Sequence, residues 1–402
     1  MSIGNPRCEL LWLKTTLTDR MALKTALYTL FTREFDRENV RGHQRQQFIC
    51  GITPKGHFPA DYLAHYSIAE GCKPENQVFN RYLDVQPYDR TRVILGDWKD
   101  DAEKGETARQ RYLSANWVRE LFGGKWWVAT QAPLPTTMHA FLSMLFQPLS
   151  HLPASFHSLS SSRPTKRIRI RTVVQLTDGN TRMGHHAYLP LDVGESLTMA
   201  PERNCDAPSL KVTLLERQTI NEAQCIQSTV SILPISSSTS DQEEPEPVVF
   251  RHLLYSSWPD HGVPESREHF IRFLHLVDRV NKDVSLATSD AELDPDSPIM
   301  IHCSAGVGRT GTLIAAMSLL RAYDHLTETP SPMTHPVTAL PGLAPSPLGP
   351  LPESVQKDMV VNEVDSMREQ RPGMVQKDQQ ILYIYEVFAL GLGFVRTGVT
   401  SE

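Results

Sequence analysis

Strands and helices are mixed along the 402 residues of this chain, which predicts a fold of the α/β or α+β class. Apolar or alternating runs predict strands at 126–129, 170–176, 211–215, 248–255 and 299–301. Apolar side chains at helical spacing predict helices at 265–280, 309–323 and 354–369. We therefore expect a sheet packed against helices.

Composition is that of a chain able to bury a sizeable core. Apolar residues make up 40% and charged residues 21% of the sequence, both near the average for globular proteins. The formal net charge is −6, whereas binding to a phosphate backbone needs a basic surface. We therefore predict no nucleic-acid partner.

The six cysteines are scattered, and no two have CxxC spacing. This predicts neither a disulfide framework nor a zinc site, and it indicates a reducing compartment. We expect a cytoplasmic location, which could extend to the nucleus. The longest stretch without Asp, Glu, Lys or Arg, at 126–162, is interrupted by four prolines. A bilayer span needs about 20 mostly apolar residues, so we predict no membrane span.

Domain organisation is predicted as an N-terminal extension over residues 1–50 and one domain over residues 51–395. The extension could form a helix at 10–35, although its apolar spacing is loose. Three polar or proline-rich stretches are predicted to be mobile insertions, at about 148–164, 236–247 and 326–352. The last insertion contains Pro347-Leu-Gly-Pro350, a PxxP match that could contact an SH3-type module.

A candidate site follows the predicted strand at 299–301, where the sequence reads His-Cys-Ser-Ala-Gly-Val-Gly-Arg-Thr-Gly from His302. Small residues let successive N–H groups turn inward to bind an anion, and the following helix adds its own N-terminus. Arg309 can grip two phosphate oxygens, and Cys303 lies where the thiolate form is favoured. The anion-binding loop is Ser304, Ala305, Gly306, Val307 and Gly308.

The alternative is a structural cysteine before an ordinary glycine-rich turn. The full pattern His-Cys-x-x-Gly-x-x-Arg-Thr should arise by chance in roughly one chain of this length in ten thousand. We therefore interpret Cys303 as a nucleophile and Arg309 as a phosphate clamp.

This segment resembles the active-site signature of the protein tyrosine phosphatases, and the resemblance to the tyrosine-specific, non-receptor type covers about residues 75–390. It implies an α/β domain with a highly twisted mixed sheet flanked by helices. It also implies hydrolysis of phosphotyrosine in proteins through a phosphocysteine intermediate. No metal or cofactor is expected, because Arg309 and the backbone dipoles supply the electrostatic stabilisation.

A second motif, Trp-Pro-Asp-His-Gly-Val-Pro, begins at Trp258. The leaving phenolate needs a proton, and a carboxylic acid on a closing loop can supply it. The resemblance assigns this general acid to Asp260. Alone, the motif could be an exposed turn, but its Asp260 lies 43 residues before Cys303, in the family's order.

Two further motifs complete the resemblance. Residues 80–89 resemble the phosphotyrosine-recognition loop, which implies that Tyr82 stacks on the substrate ring and Asp84 binds the substrate backbone. Residues 370–380 resemble the glutamine loop, which implies that Gln376 positions the hydrolytic water and that Gln380 assists in binding.

Two residues next to the signature have supporting roles. Thr310 could hydrogen-bond the Cys303 sulfur as it leaves the intermediate. His302 could orient the backbone of the loop, which differs little from a satisfied core histidine.

The sequence departs from the family where a Lys and a Trp usually precede the acid loop, since Gly184 and Leu189 stand there. This puts loop closure and turnover rate in doubt. Two rivals are a dual-specificity phosphatase with a shallower pocket and an inactive phosphotyrosine-binding module.

Overall fold

The structure is a computed structural model of the whole chain. It describes residues 10–52, 56–95, 111–146, 169–177, 186–203, 205–235, 246–259, 262–286, 296–326 and 344–394. Within these ranges no helix has the length and apolar character needed to cross a bilayer.

In the described part of the chain, eight strands form one mixed sheet in the order β1-β2-β8-β3-β7-β6-β5-β4. Their bounds are β1 Ala115–Arg119, β2 Trp126–Thr130, β3 Thr172–Gln175, β4 Ser196–Met199, β5 Ser209–Ile220, β6 Cys225–Ile235, β7 Val248–Tyr255 and β8 Ile299–His302. The fold class predicted from the sequence is therefore confirmed.

The centre of the sheet is parallel. Strand β8 pairs in parallel with β2 on one side and β3 on the other, and β3 pairs in parallel with β7. The remaining neighbours are antiparallel. The carboxyl ends of the four parallel strands thus lie along one edge, which is where open α/β sheets place their ligand sites.

Ten α-helices are described. They are α1 Leu11–Thr18, α2 Arg20–Phe48, α3 Ala60–His65, α4 Ala69–Cys72, α5 Pro74–Gln77, α6 Met138–Phe146, α7 Arg267–Lys282, α8 Gly308–Ala322, α9 Met359–Gln370 and α10 Asp378–Gly391. Three short 3₁₀ turns lie at Asp89–Thr91, Asn221–Ala223 and Glu353–Val355.

The two faces of the sheet bury separate apolar clusters, because successive strand side chains point to opposite sides. Ile299 and Ile301 pack with helices α7, α8, α9 and α10. Met300 lies between them in sequence and packs on the other face with α6 and the β5–β6 hairpin. The sheet is therefore covered on both faces.

The described part of the N-terminal segment, predicted as an extension over residues 1–50, contributes side chains to this core. Leu13 and Leu30 are buried in the same cluster as α8–α10. The fully buried Arg37 of α2 donates a hydrogen bond to Glu369 of α9 at 2.6 Å. The loose apolar spacing of α2 arises because buried arginines occupy much of its inner face.

The C-terminal end of the insertion at 326–352, which was predicted to be mobile, packs against the rest of the domain. Residues 327–343 lie outside the described residues, as do 148–164 and most of 236–247. Residues 344–352 pack against α2 and α3. Tyr62 donates a hydrogen bond to the carbonyl oxygen of Pro347 at 2.8 Å, and Arg33 donates one to that of Gly349 at 3.0 Å.

A buried carboxyl group holds the turn between β1 and β2 against α8. Glu363 accepts hydrogen bonds from the backbone N–H groups of Leu121 at 3.1 Å and Phe122 at 3.3 Å. The Ser318 hydroxyl donates to the same carboxyl group at 2.6 Å. Burial, together with the negative charge of the neighbouring Glu120, raises the pKa of Glu363 to about 8, although the hydrogen bonds to its carboxyl group oppose the shift. The native state therefore favours the protonated form.

Glu363 makes the stability of the fold depend on pH. A folded pKa above the unfolded value means that its contribution is complete below about pH 4.5 and is lost as pH rises through about 8. Replacing Glu363 with Gln removes this titration. We therefore expect the fall in Tm between about pH 5 and about pH 9 to be steeper in the wild type than in Glu363→Gln.

Differential scanning calorimetry at a series of pH values tests this expectation. Glu222→Gln changes an exposed carboxyl group and serves as the control, which should follow the wild type. Parallel Tm profiles for Glu363→Gln and the wild type would contradict the account.

Candidate active site

The predicted nucleophile lies at the carboxyl edge of the sheet, one residue after β8 ends. Cys303 is only 5% exposed, and the N–H of Gly306 donates a hydrogen bond to its sulfur at 3.2 Å. Helix α8 begins at Gly308, so the loop between them spans only a few small residues. We refer to residues 302–308 as the cysteine loop.

Six consecutive carbonyl oxygens of the cysteine loop accept hydrogen bonds from the surrounding structure. The donors are Leu176 N to His302, His302 Nδ1 to Cys303, Ala132 N to Ser304, Arg371 Nη2 to Ala305, Arg371 Nε to Gly306, and both Gly311 N and Val375 N to Val307. These distances run from 2.8 to 3.2 Å. The outward direction of the carbonyls is thus set all round the loop.

Because the carbonyl groups of the cysteine loop point outward, the N–H groups of the same peptides point inward. A trans peptide is planar, so its N–H points away from its C=O. The amides of residues 304–308, which follow the carbonyls of Cys303 to Val307, therefore point into the space beside the Cys303 sulfur, as the hydrogen bond from Gly306 shows directly. The N-terminus of α8 adds partial positive charge there. The shape and charge of this arrangement suit an oxyanion of tetrahedral shape.

Arg371 is a structural residue of the site to which sequence reasoning assigned no role. Its buried guanidinium donates to the carbonyls of Ala305 and Gly306, and to Asn116 Oδ1 at 2.9 Å. Burial lowers the pKa of Arg371 to about 10, and negative charge on Cys303 opposes that shift. The available signal was a charged residue directly before Pro372-Gly373, where a helix ends.

The predicted role of His302, orienting the loop backbone, is supported by its contacts. Its Nδ1 must be the donor to the Cys303 carbonyl, because a carbonyl oxygen only accepts. Its Nε2 lies 2.8 Å from the Tyr188 hydroxyl. That hydroxyl lies 3.1 Å from Nε2 of His252, a ring whose pKa is lowered to about 3 by burial. A chain of buried polar groups thus holds the His302 ring.

Arg309 lies in the first turn of α8, beside the cysteine loop. One of its guanidinium nitrogens, Nη1, donates to the carbonyl of Leu176 at 2.9 Å. Leu176 directly follows β3, so the guanidinium is held at the edge of the sheet where Cys303 lies. This placement supports the predicted phosphate clamp.

The predicted recognition residue Tyr82 reaches the cysteine loop. Its hydroxyl lies 2.8 Å from the hydroxyl of Ser304, although the side chain is 39% exposed. The ring therefore stands beside the opening to Cys303. Asp84 is exposed two residues further on, where it can meet a peptide in solvent.

The glutamine loop borders the other side of the cysteine loop. A Cβ atom built on Gly308 would lie 3.0 Å from Gln376 Oε1 and 3.1 Å from the side-chain amide of Gln380. Oε1 of Gln380 accepts hydrogen bonds from the N–H groups of Gln376 and Lys377. Gln376 is exposed and Gln380 is buried, so Gln380 supports the loop while Gln376 faces the site.

One predicted contact is not formed. The Thr310 hydroxyl is fully buried and has no hydrogen-bond partner in the described part of the chain. It makes no bond to the Cys303 sulfur in this structure, and the role predicted for it when the intermediate breaks down stays a prediction. The sulfur instead accepts from the N–H of Gly306, which belongs to the loop itself and not to α8.

The acid loop is described at its ends only, because Asp260 and His261 lie outside the described residues. The buried Trp258 ring packs edge-on against Phe270 at 5.4 Å between centroids. Its Nε1 donates to the carbonyl of Gly262 at 3.2 Å. Both ends of the segment that carries Asp260 are thus joined and held against α7.

Gly184 and Leu189 are the two positions before the acid loop at which the sequence departs from the family, and the structure describes only one of them. Gly184 lies outside the described residues, so its predicted effect on loop closure stays a prediction. Leu189 is half-buried and packs against the apolar cluster on the α6 face of the sheet.

Gly306 allows the cysteine loop to lie directly on the end of β2. Its φ is +71°, and a Cβ atom there would lie 2.0 Å from the carbonyl oxygen of Thr130. Gly349 has a φ of +72° but no atom within 4 Å of the corresponding position. Gly349→Ala should therefore cost about 1–2 kcal/mol of unfolding free energy. Gly306→Ala should cost at least about 3 kcal/mol.

Urea unfolding of the two variants measures this difference. Because the two glycines share the same φ, the comparison isolates the collision with β2 from the cost of the left-handed conformation. Equal losses of stability in the two variants would show that the loop does not pack on β2 as described.

Comparison with known proteins places this geometry in a family. The family model for protein-tyrosine phosphatase matches residues 76–161 and 166–337, which is more than half of the chain. The chain is 29% identical over 365 residues to human receptor-type tyrosine-protein phosphatase H, covering 89% of this chain and 23% of that protein. It is 29% identical over 359 residues to tyrosine-protein phosphatase non-receptor type ptp-2 of Caenorhabditis elegans, covering 82% and 45%.

The chain thus spans less than half of the length of either relative. Among solved structures, the catalytic domain of human protein tyrosine phosphatase non-receptor type 18 matches with a TM-score of 0.52 at 24% identity. That match covers 90% of this chain and 98% of that domain, and it supports the fold. The resemblance expected from the cysteine loop is confirmed, and the chain belongs to the protein-tyrosine phosphatase family.

Proposed function

We propose that this chain is a protein tyrosine phosphatase that hydrolyses phosphotyrosine in proteins through a phosphocysteine intermediate. One observation carries the proposal: six outward carbonyls turn the amides of the cysteine loop toward the space beside the Cys303 sulfur. An amide-lined cup with a cysteine at its base suits transfer of one phosphoryl group to sulfur.

In the first half-reaction the Cys303 thiolate attacks phosphorus and the bond from phosphorus to the tyrosyl oxygen breaks. The loop amides and Arg309 stabilise the charge that spreads over the three equatorial oxygens. Asp260 gives its carboxyl proton to the departing oxygen, which leaves as a neutral phenol. The joined ends of the acid loop at Trp258 and Gly262 support this role, since they hold the segment against the domain.

In the second half-reaction water attacks the phosphocysteine and the sulfur–phosphorus bond breaks. The Asp260 carboxylate takes the proton of the water, inorganic phosphate is released, and Cys303 returns as thiolate. Gln376 orients the water through its side-chain amide. Its position beside Gly308, at the rim of the cysteine loop, supports this assignment.

Selectivity for tyrosine is proposed to come from the depth of the opening. Cys303 is nearly buried, and Tyr82 stands over the loop through its contact with Ser304. A phosphotyrosine side chain is long enough to reach the sulfur while its ring stacks on Tyr82. Phosphoserine and phosphothreonine are too short, which favours this proposal over a dual-specificity enzyme.

Phosphotyrosine-containing proteins are accordingly the proposed partners, and a reducing cytoplasmic compartment is the proposed location. The buried Cys72, Cys225 and Cys303 are free thiols, which supports that compartment. An SH3-type contact stays a prediction that the described contacts do not favour. The N–H of Gly349 bonds to the carbonyl of Ser346 at 3.0 Å, and Gly349 has a positive φ. The PxxP segment is thus folded as a turn, whereas SH3 modules bind extended PPII segments.

Two substitutions test the proposed roles in hydrolysis of a phosphotyrosine peptide. Cys303→Ser should abolish turnover, because the weakly acidic hydroxyl cannot replace the thiolate. Asp260→Ala should lower kcat by about 10²–10⁴-fold with a much smaller change in KM, since proton donation stabilises only the transition state. Steady-state kinetics with a chelator present measure both effects.

Matched controls are available for both residues. Cys50→Ser changes an exposed free cysteine, and Asp192→Ala changes an exposed carboxylate in the turn before β4. Both controls should retain wild-type kinetics. Turnover by Cys303→Ser would contradict the proposal. Comparable rates on phosphothreonine peptides would favour the dual-specificity rival, and binding without release of phosphate would favour the inactive module.

A further inference from the structure

The residue before Gln376 has an unusual backbone conformation. Val375 has a φ of +57°, which is the left-handed region, and its side chain is fully buried. This conformation costs roughly 1–2 kcal/mol for an L-residue and is a genuine outlier for a β-branched one. The other described non-glycine residues with positive φ, Gln224 and Asp324, are not β-branched.

Three contacts hold Val375 in this conformation. Its N–H donates to the carbonyl of Val307 in the cysteine loop at 3.2 Å. Its carbonyl accepts from Arg368 Nη2 at 2.6 Å. Its side chain lies against Gly311 of α8, where an added Cβ atom would be 3.0 Å from Val375 Cγ2 and 2.7 Å from Val375 N. The conformation is therefore determined on several sides.

Arg368 connects this point to the rest of the molecule. Its Nε donates to the carbonyl of Met374 at 2.8 Å and its Nη1 to the carbonyl of Leu30 in α2 at 2.7 Å. Burial lowers the pKa of Arg368, and the nearby carboxylate of Glu34 opposes that shift. One buried cation thus holds two successive carbonyls of the glutamine loop and anchors them to an N-terminal helix.

Strain that persists inside such a set of contacts marks a position where conformation matters more than stability. A glycine at 375 would remove the strain, but it would also allow other backbone conformations and would lose the packing on Gly311. The left-handed residue turns the chain so that Gln376 faces Gly308 of the cysteine loop.

We propose that Val375 is a positioning residue, whose strained conformation aims the side-chain amide of Gln376 at the water that hydrolyses phosphocysteine. The inference rests on the proposed function. It assigns the Val375 side chain to the second half-reaction alone, because the backbone N–H that holds the Val307 carbonyl is kept in every variant and that carbonyl also accepts from the N–H of Gly311. Disturbing it should therefore change which acceptor takes the phosphoryl group and leave the formation of phosphocysteine unchanged.

The test is a partition experiment with an aryl phosphate. Phosphocysteine formation is followed as the pre-steady-state burst of phenol, and glycerol competes with water for the phosphoryl group. In Val375→Gly the burst rate should stay near that of the wild type. The steady-state rate should fall by up to about 10-fold, since misplacing a reacting group by an ångström is costly. The ratio of glycerol phosphate to inorganic phosphate should rise several-fold.

Further variants separate positioning from general loosening. Val375→Ile keeps the β-branched side chain and should retain the wild-type ratio. Val375→Ala removes only the γ-methyl groups and should raise the ratio as Val375→Gly does, which keeps the test valid if the glycine variant does not fold. Gln224→Gly relieves a φ of +47° in the β5–β6 turn and should change neither burst nor ratio.

Two results of the partition experiment would contradict the inference, and only one of them would also contradict the proposed function. An unchanged product ratio in folded Val375→Gly or Val375→Ala, with normal turnover by the wild type, overturns this inference alone. A wild-type chain that gives no burst and no turnover overturns the proposed function and, with it, the inference.

Discussion

The site depends on the outward direction of the carbonyl groups in the cysteine loop. Backbone N–H groups bind an anion only if their own peptides are prevented from rotating, and here every carbonyl from His302 to Val307 is held by a donor. These donors come from the ends of β2 and β3, from α8, from the glutamine loop and from Arg371. An anion therefore meets dipoles that are already oriented, and little reorganisation is needed when charge develops in the reaction.

The parallel centre of the sheet explains why these donors converge. Strands β2, β8 and β3 end side by side, so Ala132 and Leu176 flank the cysteine loop. Helix α9 then brings Arg368 and Arg371 to the same edge, where both guanidinium groups hold backbone carbonyls. The N-terminal helices belong to this arrangement, because Arg368 also binds the carbonyl of Leu30. The active-site loops are thus supported by segments that are far apart in sequence, from α2 near the N-terminus to α9.

Local sequence patterns predicted a strand or helix well where its own residues carry the complete apolar pattern. The run at 248–255 coincides with β7, and the stripe at 265–280 lies within two residues of α7. Strand β6 was not predicted, because Ser, Thr, Gln and Pro234 interrupt its apolar pattern. It forms because its backbone pairs with that of the neighbouring strand β7. The helix expected from residue 354 begins at Met359, because the Asp358 side chain caps it by accepting from Val360 N and Val361 N.

The candidate site, like the fold, could be predicted from the sequence only in part. Cys303, Arg309 and the loop between them are contiguous in sequence, so their chemistry could be predicted from spacing, whereas Arg371 and Val375 act through tertiary contacts.

The most direct test of the oriented cup is an NMR titration of ¹⁵N-labelled protein with vanadate, an anion of phosphate-like shape. The account predicts that the amide signals of residues 304–308 shift together as one site fills, and that Cys50→Ser behaves identically. Saturating vanadate that leaves those amides unmoved would contradict it.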